Sequence, residues 1–383
     1  MTALAAIVSH ATGLRHDIHQ HPELGYQEHR TAKVVRAELD RLGIPWEVCA
    51  DTGTLGRLAP TAPGKHIAFR ADLDALPVQE QTGLPYASRI EGHMHACGHD
   101  GHTASLLGAA AYLKSREADL PGPVTLIFQP AEEGGHGAKR MIENGALTGV
   151  AEVYGFHNWP PFPQGKAGCI GGPIMAANGE FRATITGRGG HASMPHQTVD
   201  PLMAGATFVT MVQQVVSRQI APMDAGVISV TTFHGGTANN VIPDTIELSG
   251  TVRAMSTALR DELGRKTGEI LEIACRISGS KASYQYIPCY PATVNDQACA
   301  AKAAAAIERV LGPGSVLTQG LPIMGAEDFA YYLQERPGTY ILLGGGKVGK
   351  PLEPCHSPRF DFNDELIPYA VKLWADLAGV PVR

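Results

Sequence analysis

The middle of the chain, residues 179–290, contains six predicted segments whose order few folds can accommodate. EFRATITGR predicts a strand, DPLMAGATFVTMVQQVVSRQ a helix, GVISVTTFHG and TIELSGTVRA two strands, ALRDELGRKTGEILEIACRIS a second helix, and KASYQYIP a last strand. This β-α-β-β-α-β order is ferredoxin-like and complete in itself. We therefore predict an inserted α+β domain at 179–290, which separates 1–178 from 291–383.

The flanking parts of the chain alternate strands and helices. Residues 2–43 predict a helix with a polar interruption, followed by a strand in KHIAFRADLDALP, a helix in DGHTASLLGAAAYLKSR and a strand in PVTLIFQP. AEVYGFHNWPP predicts a third strand that ends at its prolines, and the pattern resumes after residue 291. Such alternation predicts an α/β fold: a mostly parallel sheet with helices on both faces, in addition to the inserted domain.

Composition excludes several functions. Lys+Arg 31 against Asp+Glu 37 gives a net charge of -6 without long charged blocks, so nothing favours nucleic acid or an anionic membrane. No apolar run approaches the roughly 20 residues of a membrane helix. The start, MTALAAIVSHATGLRHDIHQ, lacks the basic segment of a signal peptide, and we expect a cytoplasmic location. The seven scattered cysteines do not resemble a disulfide framework.

The segment HMHACGHDGH, residues 93–102, concentrates four histidines, one cysteine and one aspartate. Side chains alternate in an extended backbone, so His93, His95 and Cys97 are expected on one face, and a following turn can bring His99 beside Cys97. Imidazole and thiolate suit Zn²⁺, Co²⁺, Mn²⁺ or Ni²⁺ to differing degrees. A solvated histidine-rich loop is the alternative, but this density at a strand end favours a metal site.

The rest of such a site must come from distant segments, because no second Cys/His pair follows at the spacing of a zinc ribbon. His157 in GFHNWP and His356 in PCHSPRFDFND are the best donors. Each follows a predicted strand or glycine-rich loop at the edge of the sheet where such sites form. Either histidine alone would be more typical of a structural role.

Glu132 and Glu133 follow a buried strand and precede GGHG. Neighbouring side chains diverge, so one carboxylate can bind a metal while the other faces a metal-bound water. The ion would lower the pKa of that water toward about 7, and the carboxylate would remove its proton, as hydrolysis requires. An exposed acidic loop is the alternative for this pair.

These residues carry a resemblance that spans nearly the whole chain. Its motifs, in chain order, are RADLDALP, HMHACGHDGH, QPAEEGGHGA, GFHNWP, GRGGHASMPH, GGTANNVIPD, MGAEDFAYY and CHSPRFDFND. With these motifs the chain resembles the M20 metallopeptidase family, and within it the branch of N-acyl-amino-acid amidohydrolases that includes hippurate hydrolases and auxin-conjugate hydrolases.

The resemblance implies a two-metal site for Zn, Mn, Co or Ni, with Glu132 as the general base. It implies that His191 helps to polarise the scissile carbonyl, in cis or from a partner subunit, and that Asn240 bonds the substrate. The inserted domain would be a lid or dimerisation domain, so we expect a homodimer or higher homo-oligomer. The implied metal ligands are Cys97, His99, Glu133, His157 and His356.

Further roles are hypotheses. The thiolate of Cys97 could bridge both ions, with His99 and His157 on one and Glu133 and His356 on the other. By analogy with related peptidases, Asp74 would orient a ligand histidine, whereas Asp72 could equally be structural. His136 stands where the branch usually has glycine, and a pocket-lining role is favoured over that of a spare ligand. Arg253 could pair with a substrate carboxylate or be an ordinary surface group.

The sequence therefore predicts a metal-dependent amidohydrolase that splits small N-acyl amino acids into a carboxylic acid and an amino acid. The alternative on the same site is a metallo-dipeptidase or carboxypeptidase. A cysteine hydrolase with Cys97 as nucleophile and His99 as base would leave no role for Glu132. A non-catalytic acyl-amino-acid binding protein is the remaining possibility.

Overall fold

A computed structural model describes residues 3–347, 349 and 352–382. The chain divides into two compact units. The first runs up to Ile174 and includes Val294–Leu321 and the residues from Asp328 onward, and the second comprises Met175–Thr293 and Pro322–Glu327. The domain boundaries given above stay predictions.

The first unit is built from helices and one large sheet. Its helices are Ala3–His19, His29–Leu42, His99–Ser115, Gly137–Glu143, Gln297–Leu311, Ala330–Glu335 and Leu366–Leu377. Its sheet strands are Trp46–Cys49, Gly53–Leu58, Ile67–Asp72, Val124–Gln129, Glu152–Pro163, Ala167–Gly168, Val316–Leu317 and Gly338–Gly346. Short strands at Gly172–Met175 and Thr293–Asn295 lie at the unit boundaries.

The sheet is parallel at its centre. Val124–Gln129, Ile67–Asp72, Glu152–Pro163 and Gly338–Gly346 are consecutive parallel neighbours. The edge strand pair Trp46–Cys49 and Gly53–Leu58 is antiparallel. The predicted α/β class with a mostly parallel central sheet is therefore confirmed.

Two predicted elements differ in their extent. The first predicted helix is two helices, because the polar interruption lies outside both, and Gly43 ends the second with a left-handed φ of 66°. The strand expected to stop at its prolines continues to Pro163. The strand can continue because it still pairs with Gly338–Gly346 on one side. In this pairing Gly344 lies opposite Trp159, and Gly346 lies opposite Pro163.

Burial explains the central strands. Every residue of Ile67–Asp72 and of Val124–Gln129 is buried, as expected for parallel strands covered on both faces. The ring of Phe69 stacks on Trp374 of the last helix, with centroids 4.7 Å apart. The core thus holds the carboxyl ends of these strands in fixed positions.

The second unit contains a four-stranded antiparallel sheet. Its spatial order is Gly226–His234, Thr245–Ala254, Ala177–Thr186 and Lys281–Pro288, which is ferredoxin-like, as predicted. The helices Pro201–Met211, Gln213–Arg218 and Thr257–Ser278 pack in the same unit, and a separate pair joins Gly190–His191 to Val241–Ile242. The helix predicted in DPLMAGATFVTMVQQVVSRQ is interrupted at Val212.

A bilayer-spanning helix would need both length and a continuous apolar surface. None of the helices within residues 3–347, 349 and 352–382 combines the two.

Candidate metal centre

Polar residues gather where the central parallel strands end. Asp72 closes the strand Ile67–Asp72, and the carboxylates Glu132 and Glu133 follow Val124–Gln129 by a short turn. His157 lies within its longer strand, beside the ends of these neighbours. His356 is brought to the same place by its backbone N–H, which donates to the oxygen of Ala96 at 2.7 Å.

The turn between Cys97 and His99 depends on Gly98. Its φ of 95° lies in the left-handed region, where glycine is favoured. A Cβ at this position would also collide with the side-chain oxygen of Asn158. Gly98 therefore allows the chain to turn directly into the helix that His99 begins, and it places His99 beside Cys97.

The five expected ligands form two groups that share one residue. Cys97, His99 and His157 make the first, and Cys97, Glu133 and His356 the second; within each group the ligand atoms lie within 4.8 Å of one another. Sγ of Cys97 is 3.2 Å from Nε2 of His157, and Nε2 of His356 is 3.2 Å from Oε1 of Glu133. Each group has the size and donor set of a transition-metal site.

The ring nitrogens that face away from the cluster are held by backbone or carboxylate oxygens. Nδ1 of His99 donates to the backbone oxygen of Asp74 at 2.9 Å, and Nδ1 of His157 donates to that of Asn158 at 2.6 Å. Nε2 of His99 is buried and has no hydrogen-bond partner within the part of the chain that the structure describes. A buried imidazole nitrogen left in this state fits a bound cation, because a cation would accept its lone pair.

Electrostatics at the cluster favour a cation. Burial lowers the pKa of His99, but Asp72 and Asp74 outweigh burial and raise it well above its usual value. The pKa of the Cys97 thiol is raised, first by its hydrogen bond with Cys355, then by burial and by nearby carboxylates. Burial lowers the pKa of His157, so this imidazole is neutral and able to act as a ligand.

Glu132 and Glu133 point to different partners. Oε1 of Glu133 faces His356, whereas Oε2 of Glu132 is 3.9 Å from Nε2 of His99. Glu132 is buried and lies within 4.8 Å of both His99 and Glu133 through its ligand atom. The neighbouring carboxylates therefore have different nearest partners, and Glu132 borders the ligand groups.

Sequence reasoning missed His102 and Asn158. His102 donates from Nδ1 to Asp72 at 2.7 Å, and its Nε2 is 2.6 Å from Oδ1 of Asn158. Because both nitrogens are engaged, His102 is a supporting residue rather than a ligand, although it forms a third possible group with Asp72 and His99. The i, i+3 spacing of His99 and His102 on one helix could have identified it.

His93 and His95 do not join the ligand groups found among the described residues, contrary to the expectation that they share a face with Cys97. Nδ1 of His93 lies 3.0 Å from the backbone oxygen of Glu91. His95 is buried, which lowers its pKa to about 4. The backbone between His93 and Gly98 is irregular rather than a continuous strand, so side chains do not alternate there.

His136 has a left-handed φ of 56° and immediately precedes the helix Gly137–Glu143. Its Nδ1 is 3.0 Å from the hydroxyl of Tyr331, and it lines a surface depression with Tyr26 and Lys139. Burial and Lys139 lower its pKa. His136 belongs to none of the ligand groups found among the described residues.

The second unit holds the other three expected residues. His191 and Asn240 are both exposed and adjacent, since Val241 pairs with His191 and the N–H of Ala192 donates to the oxygen of Asn240 at 3.0 Å. Nδ1 of His191 accepts from the backbone N–H of Ser193 at 3.1 Å. The half-buried Arg253 donates to the backbone oxygen of Met324 at 2.8 Å and is thus tied to its own unit.

Comparison with known proteins is consistent with this centre. The family described as Peptidase family M20/M25/M40 matches residues 68–379. The chain is 40% identical to IAA-amino acid hydrolase ILR1-like 4 of Arabidopsis thaliana, over 96% of this chain and 84% of that protein. It is 39% identical to N-acetylcysteine deacetylase of Bacillus subtilis, over 96% and 95%. A crystal structure of a dinuclear metal binding peptidase from Bacillus subtilis, of the M20 family, is similar with a TM-score of 0.84 and 35% identity, and the match covers 98% of each chain.

Proposed function

The chain belongs to peptidase family M20/M25/M40, and we propose that it is a metal-dependent amidohydrolase that cleaves N-acyl amino acids into a carboxylic acid and a free amino acid. The relatives named for the hydrolysis of acylated amino acids support this substrate class. One structural observation carries the proposal: two ligand groups meet at Cys97, with the carboxylate of Glu132 beside them.

Two divalent cations would be held by the five ligands. His99 and His157 would bind one, Glu133 and His356 the other, and the Cys97 thiolate would bridge them. Zn²⁺, Mn²⁺, Co²⁺ and Ni²⁺ all suit this mixture of imidazole, thiolate and carboxylate. Bound cations supply Lewis acidity, which makes a water more acidic and a carbonyl carbon more electrophilic.

Glu132 is the proposed general base and acid. Its carboxylate takes the proton from the attacking water and later passes it to the nitrogen of the departing amino acid. Its neighbour Glu133 is engaged with His356, so the two carboxylates have separate tasks. Asp74 positions both halves of the centre, because its oxygens receive His99 and the N–H of Glu133.

The second unit supplies the proposed substrate contacts. His191 donates a hydrogen bond to the scissile carbonyl oxygen and stabilises the developing negative charge. Asn240, which is adjacent to it, bonds the substrate. We assign the predicted 179–290 domain as a lid or dimerisation domain of a homodimer or higher homo-oligomer, in which either copy provides His191. Roles for Arg253 and His136 in substrate binding and a cytoplasmic location stay predictions.

A peptidase activity is the second candidate, and the similarity to a dinuclear metal binding peptidase favours it. The two activities differ in what precedes the scissile amide. A dipeptide carries a charged α-amino group there, whereas an acylated amino acid does not. Comparing kcat/KM for benzoyl, acetyl, long-chain and indole-acetyl conjugates with that for dipeptides decides between them; higher values for the dipeptides would overturn the proposal.

Metal dependence separates this mechanism from thiol catalysis. The Cys97 thiol contacts His157, and His99 also lies near it. The cysteine–histidine pair that thiol catalysis requires is therefore present as well. Dialysis against a chelator should abolish turnover, and each divalent ion should be tested for restoring it. A cysteine hydrolase would keep working without metal, and that result would refute the assignment.

A further inference from the structure

A second thiol lies beside the shared ligand Cys97. Cys355 directly precedes His356, and its Sγ is 3.9 Å from the backbone oxygen of Cys97. The Cys355 thiol also raises the pKa of the Cys97 thiol. The side-chain amide of Asn158 also reaches Sγ of Cys355, at 3.7 Å. Sγ of Cys355 therefore lies between the backbone of Cys97 and the side chain of Asn158.

Cys355 has no place in the proposed hydrolysis. It belongs to neither ligand group, although it neighbours a ligand in sequence and another in space. Cys97, in contrast, is the one residue common to both of those groups. Any covalent change at Cys97 would remove a ligand from both ions at once.

Cys97 and Cys355 differ from Cys49 and Cys169 in exposure and in their neighbours. Cys355 is half-buried and can meet a small oxidant, whereas Cys97 is buried. The thiols of Cys49 and Cys169 are buried and donate to the backbone oxygens of Met141 and Ala300. A partly exposed thiol beside a second cysteine is the arrangement of a redox-sensitive pair.

We propose that Cys97 and Cys355 form a reversible disulfide when a peroxide oxidises the metal-depleted protein, and that this bond blocks the metal centre. The peroxide oxygen is transferred to Cys355, which gives a sulfenic acid and one water. Sγ of Cys97 then attacks the sulfur of Cys355, the S–S bond forms, and the hydroxyl leaves with the Cys97 proton as a second water. A dithiol reductant reverses the change.

Bound metal should protect the pair, because a thiolate that coordinates a cation has its lone pairs engaged. The inference rests on the proposed role of Cys97 as a ligand. Beyond that role, the inference states that the metal-free centre cannot bind metal again until the disulfide between Cys97 and Cys355 is reduced. The disulfide itself can be detected without any measurement of turnover.

The experiment uses the full-length protein, as purified and after dialysis against a chelator, with hydrogen peroxide as the oxidant. Turnover and zinc content of the untreated protein are measured first, so that failure of the proposed function is recognised separately. Peptide mapping without reductant then searches for a fragment that joins Cys97 to Cys355, two hydrogen atoms lighter than the separate peptides. Zinc uptake is measured before and after reduction.

We expect the linked fragment in chelator-treated protein, loss of zinc uptake at both sites, and recovery of uptake with a dithiol. Cys355→Ser should give no linked fragment and no loss of zinc uptake that a dithiol restores, while keeping the basal activity. Cys289→Ser, at another half-buried cysteine, is the matched control and should behave like the unaltered chain. Absence of the fragment, or zinc uptake that is unchanged despite it, would overturn the inference.

Discussion

Asp74 connects to His99 twice: Nδ1 of His99 lies 2.9 Å from the backbone oxygen of Asp74 and 3.3 Å from its Oδ1. The other carboxylate oxygen, Oδ2, accepts the backbone N–H of Glu133 at 2.9 Å. His99 belongs to one ligand group and Glu133 to the other. One carboxylate therefore sets the geometry of both halves of the centre.

Asp74→Asn should weaken metal binding. The amide can accept through only one of its side-chain atoms, so either His99 loses one of its two contacts with residue 74 or the backbone N–H of Glu133 loses its acceptor. Substitution of such supporting groups typically lowers metal affinity about 10- to 100-fold. Competition with a chelator measures the affinity. Asp51→Asn, at an exposed carboxylate paired with Arg140, is the control, and equal affinities for the two variants would contradict the assignment.

Glu132→Gln should remove catalysis and spare the metals. The amide keeps the shape of the side chain but cannot take a proton, and loss of a general base typically costs about 10²- to 10⁴-fold in kcat. Metal content and turnover are measured on the same sample. Glu143→Gln, on the surface of the helix Gly137–Glu143, should change neither. Substantial turnover by Glu132→Gln would show that another group accepts the proton.

The family resemblance implies the five expected ligands, and the proximity of some of them also follows because parallel strands end at a common edge. Residues near such strand ends approach one another even when they are far apart in sequence, as His157 and Cys97 do. His102, Asn158 and Cys355 could not be assigned in this way. Their roles depend on which side chain meets which across the core, and sequence periodicity contains no such information.

The fold was predictable to a similar degree. The strands and helices of the second unit have strong patterns, and their order alone indicates the ferredoxin-like arrangement. The inclusion of Pro322–Glu327 in that unit has no such pattern. It arises from backbone hydrogen bonds, since the N–H of Ala176 donates to Ile323 and Gly325 at 3.1 and 2.8 Å. Such bonds join backbone groups, which are almost the same in every residue, so the side-chain pattern does not indicate them.

Single ligand substitutions should have unequal effects on metal content. His157→Asn and His356→Asn each weaken one group, so each should retain about one metal ion after dialysis. Cys97→Ser removes the thiolate common to both groups and should reduce the content at both sites. Elemental analysis with parallel thermal unfolding separates metal loss from misfolding. Loss of only one ion from a folded Cys97→Ser protein would exclude the bridging role.

His136→Gly and His136→Ala should differ in stability. Both variants lose the hydrogen bond with Tyr331. Glycine accepts the left-handed φ of 56°, whereas alanine retains its strain, which amounts to about 1 kcal/mol. Urea unfolding should therefore find His136→Gly more stable than His136→Ala by about this amount. Equal stabilities would mean that the backbone relaxes out of the left-handed region when the imidazole is removed.

His19 should make stability depend on pH. Its Nδ1 lies 2.8 Å from Oδ2 of Asp100, and Nε2 is 3.4 Å from Oε2 of Glu80. Burial opposes protonation, but Asp100 and Glu80 outweigh burial and raise the pKa to about 9. Because this pKa exceeds the unfolded value of about 6.5, the stabilisation is complete below about pH 6.5 and disappears as pH rises through about 9.

The comparison is between the unaltered chain and His19→Gln. The protonated histidine should contribute at most about 3 kcal/mol to the free energy of unfolding at about pH 6, and the gap between the two proteins should narrow toward about pH 10. Urea unfolding across this range measures the gap. His29→Gln, at an exposed histidine, controls for the change of side chain. A gap that stays constant with pH would mean that His19 is held neutral, with Asp100 neutralised by Arg15 alone, which lies 2.9 Å away.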